Sequence, residues 1–326
     1  MLIRHRIWNH LITKLHYLRL GKVSQRILLK PSSTIRYRER EFLESLLPLE
    51  APLSGTIKIS GCVVTSKKEL EILPLCLEGI LNGVDSGLKN LFIIAPNHEI
   101  TEIKAVVPSE VIIISDEEII PSEISSYIFK NIPEHRQGWI KQQVLKILSA
   151  HQINENGVLI IDADTVLLRP QKWLDLDGNQ NLQISAEFHD VYQKNLEQFM
   201  KLRNVSRNSS FEKLGVSFVT HYQLMQPAVL KELFENQGDS IDKGILGWLQ
   251  TIDFTSTMSP ISEWHTYGTF LANAHADKIR LTQWRNKSIP RNKNSVKFNL
   301  PYKKMTLNQL KLEFPKLNSV SFHHYL

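Results

Sequence analysis

The sequence contains little cysteine, no long apolar run and no internal repeat. Its two cysteines, Cys62 and Cys76, both lie in apolar segments. This argues against a disulfide scaffold or a cysteine zinc site and indicates a reducing compartment. No apolar run approaches the ~18 residues of a transmembrane helix. The start, Met1 to Arg6, lacks the apolar stretch of a signal peptide, so we expect a cytoplasmic protein.

Acidic residues are also missing before Glu39, although the whole chain of 326 residues has a net charge of only +6. Apolar residues recur at helical spacing in the same stretch, at Ile3, Ile7, Leu11, Leu15 and Leu18. We predict a basic helical extension over residues 1–50. Residues 1–30 would either associate with the anionic surface at the inner face of the membrane or pack on the rest of the protein. Nucleic acid is not an expected partner, because no recognition motif accompanies the charge.

After Gly55 the pattern alternates between strands and helices. The predicted strands are Ile57–Thr65, Leu91–Ala95, Val111–Ile114 and Val158–Ile161, and Ser66 is predicted to cap a helix through Leu81. Such alternation favours an α/β fold whose mostly parallel sheet is flanked by helices. The length allows one large domain or two smaller ones.

The most informative stretch is Asp162-Ala163-Asp164, which directly follows the apolar strand Val158–Ile161. Alternation along an extended chain points Asp162 and Asp164 to the same side. In an open parallel sheet, ligands bind outside the carboxyl ends of the strands. Two carboxylates there favour a hard divalent cation, Mg²⁺ or Mn²⁺, that is shared with substrate phosphates. The alternative is that the pair caps the following turn.

The helix predicted before this strand carries a second candidate face. Trp139, Gln142 and Lys146 are spaced so that they share one face, whereas Ile140, Val144 and Leu148 form an apolar stripe. The first face would turn toward the strand ends, where Lys146 would meet phosphate or sugar hydroxyls. The alternative is a solvated polar face on which Trp139 is a packing anchor.

Together these segments resemble the GT-A-type, nucleotide-diphospho-sugar glycosyltransferases, and in particular an uncharacterised bacterial branch associated with surface-polysaccharide synthesis. The resemblance rests on Val-Thr-Ser-Lys at the end of the first strand, Gly-Trp-x-x-Gln-Gln-x-x-Lys in the helix, and Asp-Ala-Asp-Thr. It covers roughly residues 57–284. It implies a GT-A-like, Rossmann-type sheet with a nucleotide-sugar-binding half at residues 51–190 and an acceptor-binding half at residues 191–326.

The resemblance also implies roles for individual residues. Thr65, Ser66 and Lys67 would bind the nucleotide, together with Trp139, Gln142 and Lys146. Asp162 and Asp164 would bind Mn²⁺ or Mg²⁺ and the donor diphosphate, and His323 or His324 would be a further metal ligand. The expected reaction moves a sugar from a nucleotide-sugar donor to a glycan or a lipid-linked saccharide in polysaccharide biosynthesis.

The acceptor side offers several candidate residues. Glu263 is the proposed catalytic base, at the start of a helix capped by Ser262; the alternative is that it only favours the helix dipole. His189 and Asp190 form a competing base or acceptor-binding pair, and His265 and Tyr267 would line the acceptor pocket. His221, after the predicted strand Val216–Thr220, is assigned only a structural hydrogen bond.

Other functions remain open. Leu-Ile-Ile-Asp-Ala-Asp-Thr-Val also resembles the first motif of haloacid-dehalogenase-type phosphatases, in which Asp162 would be the nucleophile and Asp164 the general acid/base. That family places the motif near the chain start, which argues against it here. A non-catalytic nucleotide-sugar-binding protein would retain the same fold. The basic segment Trp284 to Lys304 is expected to be a loop, either a lid over a diphosphate or an exposed solvated segment.

Overall fold

The computed structural model describes residues 46–153, 155–186, 190–203, 205, 217–235, 239–254 and 260–323. Most of the predicted basic extension, with its membrane contact at residues 1–30, lies outside these residues, as do His189 and His324. Within the described part of the chain, no helix combines the length and apolar character needed to cross a membrane. Cys62 and Cys76 are free and buried.

In the described residues ten strands are observed, and we number them along the chain: β1 (Ile59–Val64), β2 (Leu88–Ala95), β3 (Ile112–Ser115), β4 (Val158–Asp162), β5 (Thr165–Leu167), β6 (Gln180–Ile184), β7 (Tyr222–Met225), β8 (Ile279–Gln283), β9 (Asn286–Pro290) and β10 (Ser319–His323). The α-helices of the same residues are α1 (Leu73–Gly83), α2 (Ile100–Lys104), α3 (Asp116–Ile119), α4 (Ser122–Asn131), α5 (Glu134–Gln152), α6 (Asp190–Leu202), α7 (Pro227–Phe234), α8 (Ile241–Gln250), α9 (Glu263–Ala274) and α10 (Leu307–Glu313).

The central sheet has five strands in the order β3-β2-β1-β4-β7. Its first four strands pair in parallel, and β7 pairs with β4 in the antiparallel direction. Both faces are covered, because alternate residues of β1 and β4 enter two different hydrophobic clusters. Cys62 and Ile160 pack with α5 to α9, whereas Val63 and Ile161 pack with α1. The predicted α/β class, with a mostly parallel sheet flanked by helices, is confirmed.

A second sheet positions the end of the described chain beside β4. Its order is β5-β10-β9, with β10 antiparallel to β5 and parallel to β9. Helix α1 packs closely on β5 because two of its residues, Gly79 and Gly83, have no side chain. A Cβ at Gly79 would lie 2.8 Å from the backbone nitrogen of Leu167. This close packing holds β5, and therefore β10, against the central sheet.

Two predicted boundaries were wrong. The helix expected to begin at Ser66 begins at Leu73, after a short 3-10 helix at Lys67–Glu69. Pro74 explains the shift, because proline is tolerated only in the first turn of a helix. Of the strand expected at Val216–Thr220, Val216 is outside the described residues and Ser217 makes an isolated bridge to Ser185; the strand is observed later, at Tyr222–Met225.

The basic segment Trp284–Lys304 also differs from its prediction as a loop. It contains β9 and a 3-10 helix at Tyr302–Lys304. Strand β9 forms because it pairs along its whole length with β10, a partner that lies about thirty residues further along the chain. Local sequence carries no signal of such a partner.

Candidate active site

The two aspartates lie at the carboxyl end of β4, the strand between β1 and β7. Asp162 is the last residue of β4, and Asp164 follows in the turn before β5. Their side chains are 18% and 20% exposed, so both keep access to solvent at this edge. Thr65 lies at the same edge, because Val64 pairs with Asp162. These three residues therefore share one edge of the central sheet.

His323 lies against Asp164. Strand β10 reaches this point through its antiparallel pairing with β5, and the backbone N–H of Phe322 donates to the carbonyl oxygen of Asp164 at 2.8 Å. The His323 Nδ1 lies 3.2 Å from Asp164 Oδ2, and Nε2 lies 3.1 Å from the hydroxyl of Ser288 on β9. The structure therefore joins His323 to the second aspartate, although 159 positions separate them in sequence.

His221 occupies the equivalent position beside Asp162. Its Nδ1 lies 3.0 Å from Asp162 Oδ2, and its carbonyl oxygen accepts the Asp162 backbone N–H at 2.9 Å. The centres of the His221 and His323 rings are 5.1 Å apart, and the centre of the Trp284 ring lies 5.3 Å from that of His221. Sequence reasoning gave His221 only a structural hydrogen bond. Its place just before β7 follows from the antiparallel pairing of β7 with β4, which no local sequence signal indicates.

Behind the aspartates, Lys146 on α5 is buried between two carboxylates. Its ammonium group donates to Asp162 and, at 2.6 Å, to Glu263 Oε1. The Lys146 side chain is 2% exposed and that of Glu263 1%. The ammonium also lies 4.6 Å from the centre of the Trp264 ring, and the Gln143 amide nitrogen, when turned toward Glu263, donates to its carboxylate. These contacts fix Lys146 inside the protein.

The buried charges shift one another's pKa values. Burial opposes ionisation of Asp162, but the Lys146 ammonium and His221 lower its pKa below the ordinary value. Burial likewise opposes the charge on Lys146, yet Asp162 and Glu263 raise the Lys146 pKa above its ordinary value. For Glu263, burial raises the pKa more than Lys146 lowers it, and the nearby Asp162 charge adds to the rise. Asp162 is thus held ionised, and Glu263 shares the compensating ammonium.

We expect this arrangement to make the protein acid-sensitive through Asp162. Because the folded-state pKa of Asp162 lies below its ordinary 3.8, the unfolded chain takes up this proton first as the pH falls. The stability that Asp162 contributes is fully present well above pH 3.8 and is lost as the pH falls from there toward the lower folded-state pKa, on the order of 1 kcal/mol by pH 3. Urea unfolding at pH 5.5 and pH 3 should show a smaller loss for Asp162→Asn than for the parent. Asp85→Asn, at an exposed position, should lose as much stability as the parent. Equal losses in all three proteins would contradict the assignment.

The other donor-binding candidates are less closely tied to the aspartates. Thr65 is buried, whereas Ser66 is half-buried and Lys67 is exposed on the 3-10 helix after β1. The Lys67 backbone N–H donates to Glu99 Oε2 at 2.8 Å. Trp139 packs against the hydrophobic core, and Gln142, one turn before Lys146, is half-buried. Of the predicted helix face, Lys146 alone is shown in contact with an aspartate in the part of the chain that the structure describes.

Of the acceptor-side candidates, several are buried or outside the described side chains. Ser262 caps α9 as predicted, since its hydroxyl accepts the His265 backbone N–H at 3.3 Å. His265 is buried, with Nε2 3.2 Å from Gln193 Oε1. The Tyr267 hydroxyl accepts the Gln226 backbone N–H at 2.9 Å and donates to Gln180. The Tyr267 side chain is therefore part of the hydrophobic core. Asp190 begins α6, and its side chain is not among those described.

The donor atoms suit a hard divalent cation with an imidazole ligand. Among the described residues, no three histidine, cysteine, aspartate or glutamate side chains already converge as a metal-binding group. Asp164 and His323 nevertheless offer a carboxylate and an imidazole side by side, and Asp162 supplies a second ionised carboxylate nearby. Carboxylates suit Mg²⁺ and Mn²⁺, and imidazole is a common additional ligand of transition metals. The residues present therefore fit the predicted cation.

A family model described as a family of unknown function, DUF6492, matches residues 70–297. The chain belongs to the DUF6492 family. The match spans α1 to β9 and includes both aspartates, Lys146, His221 and Glu263, whereas His323 lies beyond it. None of the curated proteins matches this chain.

Similar solved structures include three glycosyltransferases. Mouse xyloside xylosyltransferase 1 is 11% identical, with 82% of this chain and 99% of that chain covered and a TM-score of 0.44. The galactosyltransferase LgtC, in complex with donor and acceptor sugar analogues, is 10% identical over 81% and 87% of the two chains, with a TM-score of 0.42. The mannosyltransferase Ktr4p of S. cerevisiae, in complex with GDP, is 9% identical over 77% and 80%, with a TM-score of 0.44.

Proposed function

We propose that this protein is a metal-dependent glycosyltransferase that moves a sugar from a nucleotide-sugar donor to a glycan or lipid-linked acceptor in polysaccharide biosynthesis. One observation carries the proposal: Asp162 and Asp164, at the carboxyl end of a central parallel strand, each face a histidine. Ligands of open α/β sheets bind at this edge. Two carboxylates would repel a diphosphate, because both groups are negatively charged. A divalent cation between them would remove this repulsion and join the diphosphate to the protein.

In this proposal Asp162, Asp164 and His323 hold Mn²⁺ or Mg²⁺. When bound, the cation neutralises the negative charge that develops on the departing nucleoside diphosphate. The Ser288 hydroxyl contacts Nε2 of His323. A hydrogen bond to the ring nitrogen that does not bind the metal would fix the orientation and the tautomer of the imidazole. Thr65, at the same edge, and Ser66 and Lys67 just after it would contact the nucleotide, with Trp139 and Gln142 on the adjacent helix.

The geometry changes the proposed roles of Lys146 and Glu263. The ammonium of Lys146 is occupied by two carboxylates, so it acts on the donor mainly by orienting Asp162 and keeping it ionised. Glu263 holds this ammonium from the other side and is 1% exposed. A base must reach the proton that it removes, and a buried carboxylate bound to a lysine is poorly placed to do so. We therefore propose Glu263 as a positioning residue. Asp190 remains the other proposed base, with His189 and His265 near the acceptor.

The remaining parts of the proposal follow from the resemblance of the sequence. Residues 51–190 would form the nucleotide-sugar-binding half and residues 191–326 the acceptor-binding half. The protein would act in the cytoplasm, and residues 1–30 would bring it to the inner face of the membrane where lipid-linked acceptors are made. Membership of the bacterial surface-polysaccharide branch is part of the same proposal.

A thermal-shift screen tests the donor site. The parent protein is heated with nucleoside diphosphates and nucleotide sugars, each with and without Mn²⁺. Because a ligand that binds only the native state stabilises it by mass action, ~2.7 kcal/mol at one hundred times its Kd, a true donor should raise the midpoint by several degrees. We expect one nucleotide to do so only when Mn²⁺ is present.

Asp164→Asn and Asp85→Asn serve as the variant and its control in the same screen. The shift should disappear in Asp164→Asn and persist in Asp85→Asn, which lies at an exposed position. A shift that survives in Asp164→Asn would remove the aspartates from the donor site. If no nucleotide shifts the midpoint and the protein instead hydrolyses a generic phosphomonoester, the phosphatase interpretation of Asp162 replaces this proposal.

A further inference from the structure

The strongest positive charge of the described chain lies outside the aspartate site, in residues 285–316. This segment carries nine basic residues and one acidic residue, a net charge of +8, whereas the whole chain carries +6. Two of its cations are occupied locally, since Arg291 is buried against Glu69 and Lys303 pairs with Glu71 at 3.0 Å. Lys287, Lys293, Lys297, Lys304 and Lys316 are exposed.

Large apolar side chains stand among these lysines. Val296 is 91% exposed, Leu312 58% and Leu300 39%. Single exposed apolar residues are ordinary on protein surfaces, but three of them among lysines form a group. The group is joined through Lys297, which follows Val296 and whose ammonium lies 3.5 Å from the carbonyl oxygen of Leu312. We call Val296, Leu300 and Leu312, with Lys293 and Lys297, the basic–apolar surface.

The loop that presents Val296 is built by internal contacts. Asn294 and Pro301 form an antiparallel bridge, and within it the Ser295 N–H donates to Leu300 oxygen at 2.8 Å. The Ser295 hydroxyl accepts the Phe298 N–H at 3.0 Å, and Phe298 packs on the adjoining hydrophobic cluster. The loop thus partly buries one apolar residue, Phe298, and exposes another, Val296. Val296 is thus an exposed apolar residue between Lys293 and Lys297. Such a loop would be stabilised if Val296 entered an apolar phase while the two lysines contacted a negatively charged layer in front of it.

We propose that the basic–apolar surface docks on the surface of an anionic lipid bilayer. Lysines near such a surface are attracted by its negative potential, and apolar side chains gain free energy by entering the boundary between headgroups and acyl chains. A polyanion such as a nucleic acid would account for the lysines only, because it offers no apolar layer for Val296 and Leu312. The combination of the two chemistries favours the bilayer.

This surface is connected through the chain to the small sheet that carries part of the aspartate site. The loop follows directly from β9, which carries Ser288, and β9 pairs with β10, which carries His323. Docking through this surface would therefore fix the orientation of the aspartate edge relative to the membrane. The inference does not depend on sugar transfer, and it concerns other residues than the N-terminal segment 1–30.

The test uses the full chain and extruded vesicles of phosphatidylcholine with or without phosphatidylglycerol. Binding is measured by co-sedimentation at low and at high salt. We expect binding to anionic vesicles that falls as salt screens the charge. Val296→Ser with Leu312→Ser should weaken that binding by about tenfold, and Lys293→Ser with Lys297→Ser by about twentyfold.

Matched controls lie elsewhere on the surface. Leu81→Ser with Leu176→Ser removes apolar residues that are 51% and 82% exposed, and Lys104→Ser with Lys130→Ser removes two exposed lysines. All these positions are exposed, so thermal midpoints should stay near that of the parent. If the controls weaken binding as much as the test pairs, or the Val296 and Leu312 pair binds like the parent, the proposal is overturned. Absence of parent binding to anionic vesicles would overturn it as well. In each case the donor screen above is unaffected, so the two proposals fail separately.

Discussion

Replacing Asp164 with asparagine is expected to lower the proposed glycosyl transfer by about a thousandfold while leaving the fold unchanged. The asparagine keeps the shape of the side chain but removes one of the two charges that would hold the proposed cation, whose stabilisation of the leaving group would be worth several kcal/mol. Asp164 is the cleaner of the two aspartates to test. It is 20% exposed and lies against a histidine, whereas Asp162 also compensates the buried Lys146.

The measurement is turnover of the donor found by thermal shift, with the unfolding midpoint recorded for each variant. Asp85→Asn, at an exposed position, should retain the parent rate. His323→Gln should lose activity in the same direction but to a smaller extent, because two carboxylates remain. Parent-like turnover in Asp164→Asn, with a parent-like midpoint, would end the metal-site interpretation.

Replacing Lys146 with methionine is expected to destabilise the protein by about 3–5 kcal/mol. Methionine fills a similar volume but leaves Asp162 and Glu263 without their shared ammonium. Glu263 is 1% exposed and cannot regain solvent, so it must either stay charged in the interior or take up a proton. The measurement is the free energy of unfolding in urea near pH 7. Lys231→Met, at an exposed lysine that is 64% accessible, should change stability by less than ~0.5 kcal/mol.

A double-mutant cycle separates this electrostatic explanation from a simple packing defect. Adding Glu263→Gln to Lys146→Met removes the buried carboxylate that has lost its counter-charge. We expect the double variant to be more stable than Lys146→Met alone, with a coupling of about 1–3 kcal/mol. Additive losses would mean that the two side chains act independently. Glu263→Gln alone should reduce both donor affinity and turnover, because it acts through Lys146 and Asp162; a loss of turnover with donor affinity retained would restore Glu263 as the base.

The placement of His221 shows where sequence reasoning reached its limit. The apolar run before it was interpreted as the strand, because strand prediction responds to local composition. The sheet instead pairs the next four residues with β4, Tyr222 opposite Ile161. This register places His221 outside the strand, where it adopts a positive φ of 55° and its ring meets Asp162. The residues that form β7 are decided by their pairing with β4 and by the side chains packed against the sheet. A short stretch of sequence contains neither of these.

The boundary of α1 shows the opposite case, in which a local rule was available. Pro74 restricts where the helix can begin, and this restriction follows from the missing N–H of proline. The start at Leu73 therefore follows from a local rule, whereas the prediction of Ser66 as the cap is wrong. The Ser262 cap of α9, by contrast, was predicted correctly, since its hydroxyl accepts an N–H within the same turn.

The sequence by itself determined the strand that ends in Asp162, the second aspartate beside it, the helix that carries Lys146 and the alternation that makes a covered parallel sheet. These features depend on residues that are close together in the chain, so they can be predicted from periodicity and capping rules. Only the tertiary structure decided the partners of the site. His221, Glu263 and His323 lie 59, 117 and 159 positions from the residues they contact. Such contacts arise from strand order and helix packing, and from the burial of Lys146 between two acids, which no local pattern of residues encodes.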